Sequence, residues 1–290
     1  MKITVPIVNA FVDGDKGGNP AGVLLNAQVY SHEEKLKIAA AVRLSETAFV
    51  SPSTKADFKL DFYTPSMQIA HCGHATIATF SYLNQQGLIV KNNTSKETID
   101  GIREIIMDGE MAYMEQIAPI YNGLNEKELN TVSESLGIAA TELNSSIEPC
   151  IVNTGNSFLL AEFNSNDEVK SVKPDLELIS QFSEEHDLIG YYIFSRDTFK
   201  EGRDACTRMF APRYGIAEES ATGMAAGPLG CFLYDKLKIE KESFIIEQGY
   251  LMESPSPSVI TVNLKINDGS ISGLMVGGNA IVSGQRKIEI

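Results

Sequence analysis

Short runs of alternating apolar and polar residues are separated along the chain by longer runs with apolar residues at helical spacing. SHEEKLKIAAAVRL is typical of a helix, for which Ser31 is a suitable N-cap. HATIATFSYLNQQG predicts a second helix, with Gly87 just beyond its end. The alternating runs near the N-terminus predict strands with turns between them: ITVPIVNAFV, AGVLL, TAFVSPS and ADFKLDFYTP.

The middle of the chain contains the best candidate for a domain boundary. EIIMDGEMAYMEQ predicts a hairpin that turns at Gly109. APIYNGLNEKELN is polar and carries proline and glycine, so we interpret it as a linker. A helix is then expected to start at TVSESLGI, and strands to resume at CIVNTGNSFLLAEF.

The second half of the chain resembles the first half in the same order. The offset between similar positions grows from 137 (Gly18 to Gly155) to 150 (Gly73 to Gly223), as insertions would make it. Chance similarity between short apolar strings is the alternative, but the retained order favours a duplicated α/β unit. The similar segments are GNPAGVLL with GNSFLLAEF, TPSMQIA with APRYGIA, and CGHATIATFSYL with TGMAAGPLGCFLY.

The duplication predicts two domains. We place an N-terminal domain at residues 1–118 and a C-terminal domain at residues 119–277. The last strand, residues 278–290, is expected to return to the first domain. The order of elements in each half is not a steady alternation of strand and helix, which disfavours a purely parallel doubly wound sheet.

Composition restricts the classes of function. The chain has 290 residues, of which 43% are hydrophobic and 21% charged, which is enough for a sizeable core. Its formal charge of −14 argues against a nucleic-acid partner, because phosphates need a basic surface. The sequence has no long apolar run for a membrane helix, and its N-terminus is typical of a strand rather than of a signal peptide. The four cysteines form no CxxC pair, which predicts no disulfide framework and a cytoplasmic location.

Each half contains a corner where an extended segment leads through a glycine into a helix. These glycines are Gly73 and Gly223. A helix N-terminus offers unpaired N–H groups and positive potential, and glycine lets an anion approach the backbone. Two such corners facing one another would suit a small carboxylate or a transient oxyanion. The alternative is that each glycine only makes a tight turn.

Two kinds of cofactor are disfavoured by the motifs. Neither a P-loop nor a GxGxxG segment opens a helix after a strand, so no nucleotide cofactor is expected. His71, Cys72 and His74 are adjacent rather than spaced by a helical turn, so no metal is expected.

Three residues are candidates for moving a proton. Glu46 lies between an amphipathic helix and an apolar strand, where burial would raise its pKa toward that of a useful base, although Ser-Glu-Thr is also a common polar turn. His74 follows the corner glycine, where a helix N-terminus favours neutral imidazole. Cys72 is either a thiolate activated by the same helix or a small buried side chain.

Four segments together closely resemble the phenazine-biosynthesis isomerase-like (PhzF-like) family of the diaminopimelate epimerase fold superfamily. The resemblance implies an α+β fold (mixed α/β) with two pseudo-symmetric domains, each a curled, mostly antiparallel sheet around a central helix. It implies a site in the cleft between the domains, a homodimer and no cofactor. The segments are VNAFVDGDKGGNPAGVLL, LSETAFV, DFKLDFYTPSMQIAHCGHATIATF and GIAEESATGMAAGPLGCFLY.

The resemblance also implies roles for individual residues. Glu46, in the SETAF motif, corresponds to the family's general acid/base, which moves a proton between carbon atoms of a small carboxylic acid. His74, in CGHAT, would position the substrate or relay the proton, and Asn19, in GGNPA, would lie near the substrate. Backbone amides at Gly73 and Gly223 would hold a carboxylate, with Cys72 and Thr222 beside them.

The second corner departs from the family's usual E-D-P-x-T-G-S. The usual aspartate is Glu219, which we keep as a catalytic candidate. The usual proline is Ser220, and the usual serine is Met224, which has no hydroxyl to donate. Met224 remains a candidate substrate contact.

Two other functions stay open. Relatives with Cys and Thr at the two corners dehydrate hydroxyproline, and relatives with two cysteines racemise amino acids, so Cys72 and Thr222 could form an epimerase, racemase or dehydratase. Alternatively, the departures at Ser220 and Met224 could mark a metabolite-binding protein without catalysis.

Overall fold

The computed structural model describes residues 1–139 and 147–290. Six α-helices lie in these residues. Helices α1 to α6 are His32–Val42, Gly73–Gln85, Glu126–Leu136, Asn166–Ser171, Leu176–Glu185 and Gly223–Asp235. None of the helices in the described ranges combines the length and the apolar character that crossing a membrane requires.

Eighteen strands lie in the same ranges. Strands β1 to β9 are Lys2–Ala10, Asn19–Leu24, Thr47–Ser51, Phe58–Tyr63, Gln68–Ile69, Asn93–Thr98, Gly101–Asp108, Met111–Ile117 and Ile120–Gly123. Strands β10 to β18 are Cys150–Asn153, Ser157–Phe163, Gly190–Ser195, Ala205–Ala211, Ile216–Glu219, Ser243–Gln248, Ser258–Asn267, Ser270–Gly278 and Ala280–Glu289.

The chain divides into two compact units. The first unit is Met1–Glu115 with Gly277–Ile290, and the second is Gln116–Val276. The sequence placed the boundaries at 118 and 277. β18 pairs antiparallel with β1 over nine residue pairs, from Lys2 with Glu289 to Ala10 with Ala280.

The first unit is a mixed sheet with a buried helix. Its strands follow the order β18, β1, β2, β3, β4, β6, β7, β8, and only β2–β3 and β4–β6 are parallel. Helix α2 packs against β1, β2, β3 and β18. Nearly every residue of α2 from Gly73 to Leu83 is buried, which is typical of a helix with sheet around it rather than of a surface helix.

The second unit has the same pattern of pairing. Its strands follow β9, β10, β11, β12, β13, β15, β16, with β11–β12 and β13–β15 parallel. Helix α6 is buried along most of its length and packs against β10, β11, β15 and β16. The predicted fold class, mixed α/β with two mostly antiparallel units of like topology, is therefore confirmed.

The strand registers make the duplication specific to single residues. Gly22 pairs with Thr47 in the first unit, as Leu159 pairs with Tyr191 in the second. Lys96 pairs with Phe58, and Ile246 pairs with Ala205 in the same way. The two buried helices have 13 residues each and begin at Gly73 and Gly223. Equivalent positions in the two units can therefore be compared one by one.

Local signals explain most helix and turn boundaries. Ser31 caps α1, since its side chain accepts from the Glu34 N–H while the Glu34 carboxylate accepts from the Ser31 N–H. Gly109 has a positive φ of 59° in the β7–β8 turn, where glycine adopts the left-handed region without strain.

The predicted linker is wrong. Its first part forms β9, which pairs with β10, and its second part begins helix α3. α3 starts at Glu126 instead of at TVSESLGI, because Asn125 and Glu128 form a reciprocal capping box at its N-terminus. The proline and glycine in this segment indicate a loop, so the cap formed by Asn125 and Glu128 was not recognised from the sequence.

Candidate active site

The first corner lies where β5 ends and helix α2 begins. Cys72 is the N-cap residue, and Gly73 and His74 form the first turn of the helix. All three residues are buried. Gly73, like Gly223 in the second unit, does not have a positive φ, so the turn itself does not require glycine. A residue without a side chain at this position instead suits the close approach of an anion to the N–H groups of the helix.

Glu46 is held beside this corner by the neighbouring strands. It precedes β3, and its backbone carbonyl accepts from the Gly22 N–H at 3.1 Å as the parallel β2–β3 pairing begins. Asn19 starts β2 and is also buried, so both residues lie at the N-terminal ends of adjacent parallel strands. Gly18 has a φ of 84°, and a Cβ there would lie 2.7 Å from the Ala10 carbonyl oxygen, so this approach to Asn19 requires glycine.

Glu46, His74 and Cys72 form one buried cluster with the imidazole in the middle. The Oε2 of Glu46 lies 3.2 Å from His74 Nε2. The Sγ of Cys72 lies 3.6 Å from His74 Nδ1. The carboxylate faces the ring at ion-pair distance without the alignment of a conventional hydrogen bond, which is common in catalytic pairs before substrate binds.

The electrostatics of the cluster keep Glu46 ionised. Burial by itself would raise the pKa of Glu46, but the charge of His74 and polar contacts to His74 and Ser45 act in the opposite direction. The net result is a pKa below the ordinary value of 4.5. The sequence had suggested a raised pKa from burial alone, because the proximity of His74 could not be known. Glu46 is thus a carboxylate, able to accept a proton, at neutral pH.

Cys72 is a thiol rather than a thiolate. Burial raises the pKa of Cys72 above its ordinary value, and the charge of Glu46 adds to this shift. His74 opposes it without reversing it. The proposed activation by the helix N-terminus is therefore outweighed by desolvation, and Cys72 fits a small buried side chain better than a base.

The Cys72 sulfur, a His74 ring nitrogen and a Glu46 carboxylate oxygen lie within 4.8 Å of one another. Cys72 faces Nδ1 of the ring while Glu46 faces Nε2, so the two side chains contact different nitrogens. A metal binds the thiolate form of cysteine, whereas burial raises the pKa of Cys72 and favours the thiol. The absence of a metal stays a prediction.

The second corner lies between β14 and α6 and is organised by a buried glutamine. Thr222, the N-cap of α6, donates its hydroxyl to Glu219 Oε2 at 2.6 Å. The Oε1 of Gln248 accepts from the Thr222 N–H at 2.9 Å, and its Nε2 donates to the Glu219 carbonyl at 2.7 Å. Tyr192 donates to the same Oε1 at 3.0 Å. Glu219 and Thr222 are therefore fixed relative to each other, as a binding site requires.

The start of α6 has further polar contacts. The carbonyl of Gly223 accepts from Gln116 Nε2 at 3.0 Å, and Thr154 donates to Gln116 Oε1 at 2.6 Å. Met224 accepts a weak bond from Asn156 Nδ2, 3.5 Å from its sulfur. Met224 thus keeps a polar neighbour although it lacks the serine hydroxyl.

The two corners are not chemically equivalent. His74 of the first unit corresponds to Met224 of the second. The strand registers make Thr47 of the first unit equivalent to Tyr191 of the second. Glu46 directly precedes Thr47 and Gly190 directly precedes Tyr191, so Glu46 corresponds to Gly190. A Cβ at Gly190 would lie 2.1 Å from the Phe210 carbonyl oxygen, so a carboxylate side chain has no room there. The buried carboxylate–imidazole pair is therefore present in only one of the two equivalent positions.

Sequence reasoning missed Gln248 and Gln116. Each is a single glutamine within strand-like text, and no motif distinguishes it from a solvent-facing residue. The duplication is the signal that could have found them. Aligning the two halves residue by residue identifies the strand ends that flank each corner, where these glutamines lie.

Replacing Gln248 with Leu should destabilise the second unit. The Thr222 N–H and the Tyr192 hydroxyl would lose their buried acceptor, which costs about 2–4 kcal/mol of the free energy of unfolding. Urea denaturation measures this loss. The exposed Gln181→Leu is the control and should shift stability by less than about 0.5 kcal/mol. Equal effects of the two variants would refute the organising role.

Comparison with known proteins places the chain in a family. The sequence profile described as phenazine biosynthesis-like protein (PhzC-PhzF) matches residues 8–286. The uncharacterized isomerase YfhB of Bacillus subtilis is 27% identical and aligns over 97% of each chain. The trans-2,3-dihydro-3-hydroxyanthranilate isomerase of Pseudomonas chlororaphis is 27% identical over 98% of each chain. A crystal structure of the Bacillus anthracis phenazine biosynthesis protein of the PhzF family has a TM-score of 0.91 at 25% identity, over 100% of both chains.

These similarities extend over both units rather than over one motif. Both curated relatives carry isomerase names, which assigns this chain to the isomerases. The profile match covers nearly the whole sequence, and the fold agrees with that of a PhzF-family structure. The chain therefore belongs to the phenazine biosynthesis-like (PhzC-PhzF) family.

Proposed function

We propose that this protein is a cofactor-independent isomerase that moves a carbon-bound proton on a small cyclic or unsaturated carboxylic acid. The observation that carries the proposal is the buried Glu46–His74 pair, 3.2 Å apart beside the N-terminus of α2. A carboxylate that stays ionised in a buried site can take a proton from carbon, and the helix N-terminus attracts the substrate's own negative charge.

The first half of the reaction is proton removal. The substrate carboxylate binds at the first-turn N–H groups of α2, which have no acceptor within the helix. Glu46 takes the proton, so that a C–H bond breaks and an O–H bond forms, and the electron pair is delocalised into the unsaturated acid. The N–H groups and helix dipole stabilise the negative charge that develops.

In the second half Glu46, whose proton has exchanged with solvent, delivers a proton to a different carbon. Glu46 becomes a carboxylate again, and substrate and product have the same composition, so no external oxidant or reductant is consumed. His74 holds Glu46 in place and balances its charge while the proton is on carbon. Asn19, at the same end of β2, is proposed to bind the substrate, and Glu219 to act as a second polar group at its own corner with Thr222, Gly223 and Met224.

The proposed substrate class is supported by the site and by the name of one relative. The Pseudomonas chlororaphis relative is named for trans-2,3-dihydro-3-hydroxyanthranilate, a cyclic unsaturated carboxylic acid. Such an acid has both the carboxylate that a helix N-terminus binds and a C–H bond that conjugation acidifies. We therefore propose acids of this type for the present chain.

Proton NMR in D2O tests the proposal. Wild-type protein is mixed with trans-2,3-dihydro-3-hydroxyanthranilate and with a panel of proline and amino-acid derivatives. Deuterium entering a second carbon of the unsaturated acid supports the isomerase. Exchange only at the α-carbon of an amino or imino acid would instead indicate an epimerase, and binding without any exchange would indicate a metabolite-binding protein.

Cys72→Ala separates the isomerase from an enzyme that uses Cys72 as a base. Because the pKa of Cys72 is raised by burial, we expect the variant to keep its exchange rate within about threefold. Removal of a true base would reduce the rate by about 100-fold or more. Cys231→Ala, in the equivalent helix of the second unit, is the control for losing a buried sulfur. The measurement is deuterium incorporation at matched protein concentration.

A further inference from the structure

A buried lysine lies under the first corner and has no part in the chemistry above. Lys96, on β6, is fully buried. Its Nζ donates to Thr76 Oγ1 at 2.7 Å and lies 3.1 Å from His71 Nδ1, over the ring of Phe62. In the described ranges no carboxylate lies within salt-bridge distance of Lys96, and lysines are rarely buried without one.

A short hydrogen-bonded chain joins this lysine to the corner. Lys96 donates to the Thr76 hydroxyl, and that hydroxyl donates to the Cys72 carbonyl at 2.6 Å. Cys72 is the N-cap of α2, so its carbonyl belongs to the peptide that carries the Gly73 N–H. A charge on Lys96 polarises the hydroxyl, strengthens its bond to the carbonyl and makes the adjoining N–H a better donor.

The titratable groups around Lys96 do not neutralise its charge directly. They are His71 and Cys72 before α2, and Asp100 and Arg103 around the β6–β7 turn. Burial lowers the pKa of Lys96 to about 7. Burial, followed by the charge of Lys96, lowers the pKa of His71 to about 3, so His71 is neutral and can accept from the ammonium.

The second unit shows that the fold itself does not need this polar cluster. The helix equivalence pairs His71 with Ala221 and Thr76 with Ala226. The strand register pairs Lys96 with Ile246, which is fully buried. Three small or apolar residues therefore occupy the positions of the cluster under the corner that lacks Glu46.

We propose that Lys96 is a positioning residue of the first corner, which supplies positive charge beneath the bound carboxylate and holds the Cys72–Gly73 peptide through Thr76. An anion arriving at the helix N-terminus favours the charged form of Lys96, so binding is accompanied by proton uptake. This inference rests on carboxylate binding at the first corner, which is part of the proposed function. His71 is only half-buried and contacts Nζ, so it offers the proton a path from solvent.

Isothermal titration calorimetry tests the coupling. Benzoate and 2-aminobenzoate are titrated into the whole protein at pH 7.5 in Tris and in HEPES, whose ionisation enthalpies differ. Wild type should take up about half a proton per bound anion, and its Kd should rise up to tenfold per pH unit above neutrality. Lys96→Ile introduces the residue type found at the equivalent position of the second unit. This variant should bind the anions with no proton uptake and with a Kd that does not change with pH. The exposed Lys91→Ile should behave as wild type.

Other variants keep the proposal open to refutation. Thr76→Val removes the hydroxyl link and should reduce proton uptake at least twofold even if Lys96→Ile folds poorly. Unchanged uptake in Lys96→Ile, with affinity lowered equally at every pH, would show a merely structural role and overturn the proposal. If neither benzoate nor 2-aminobenzoate binds the wild-type protein, both the Lys96 proposal and the carboxylate site are refuted. Coupled binding without carbon–proton exchange would retain the Lys96 role and refute only the isomerase.

Discussion

Glu46→Gln should abolish carbon–proton exchange while leaving anion binding nearly intact. The amide is almost isosteric with the carboxylate but cannot accept a proton, so the rate should fall by about 1,000-fold. The Kd for 2-aminobenzoate should change by less than about threefold, because the helix N-terminus rather than Glu46 attracts the anion. Deuterium incorporation by NMR and calorimetry measure the two quantities on the same preparation.

A matched control distinguishes loss of the base from loss of a negative charge. Glu97, in the same unit, is a partly buried carboxylate that accepts from Ser53 Oγ. Glu97→Gln should keep the exchange rate within about twofold. Undiminished exchange in Glu46→Gln would remove Glu46 from the mechanism. Lost exchange together with lost binding would show that the residue shapes the site instead of moving the proton.

The second large effect that we expect is a rise of the free energy of unfolding with pH, caused by the buried Lys96. The pKa of Lys96 is about 7 in the folded chain against 10.5 ordinarily. Between those values the unfolded chain binds a proton that the folded chain does not, so the free energy of unfolding rises with pH. Below pH 7 Lys96 is protonated in both the folded and the unfolded chain. Its destabilising effect has then reached its full size and no longer changes with pH.

Comparison with Lys96→Ile isolates this term, since the groups outside the cluster around Lys96 titrate alike in both proteins. Urea denaturation at pH 7, 8.5 and 10 should show wild type gaining roughly 3 kcal/mol on the variant between pH 7 and pH 10. Lys91→Ile should keep a constant difference from wild type. A constant difference for Lys96→Ile as well would mean that Lys96 is not desolvated in the folded chain. The test needs no ligand, so it is independent of the proposed enzyme activity.

The elements of the fold were predicted best where the signal is local. The cap at Ser31, the helix that begins beside Gly73 and the turn at Gly109 each depend on neighbours within about four residues. The start of α3 was missed because the cap formed by Asn125 and Glu128 lies within text that also looks like a linker. The duplication was detectable because the two corners keep their order and spacing.

The family, the duplicated α/β plan and the residue types at each corner could be predicted from the sequence, because they depend on motifs that are continuous along the chain. The chemical state of those residues depends on the folded arrangement. That arrangement brings His74 within 3.2 Å of Glu46, which keeps the carboxylate ionised, and it buries Cys72 deeply enough to keep it a thiol. It also places Lys96 under the first corner and Gln248 behind the second. The physical reason is that desolvation and charge–charge interactions depend on distances between strands and helices far apart in sequence, and no local pattern encodes those distances.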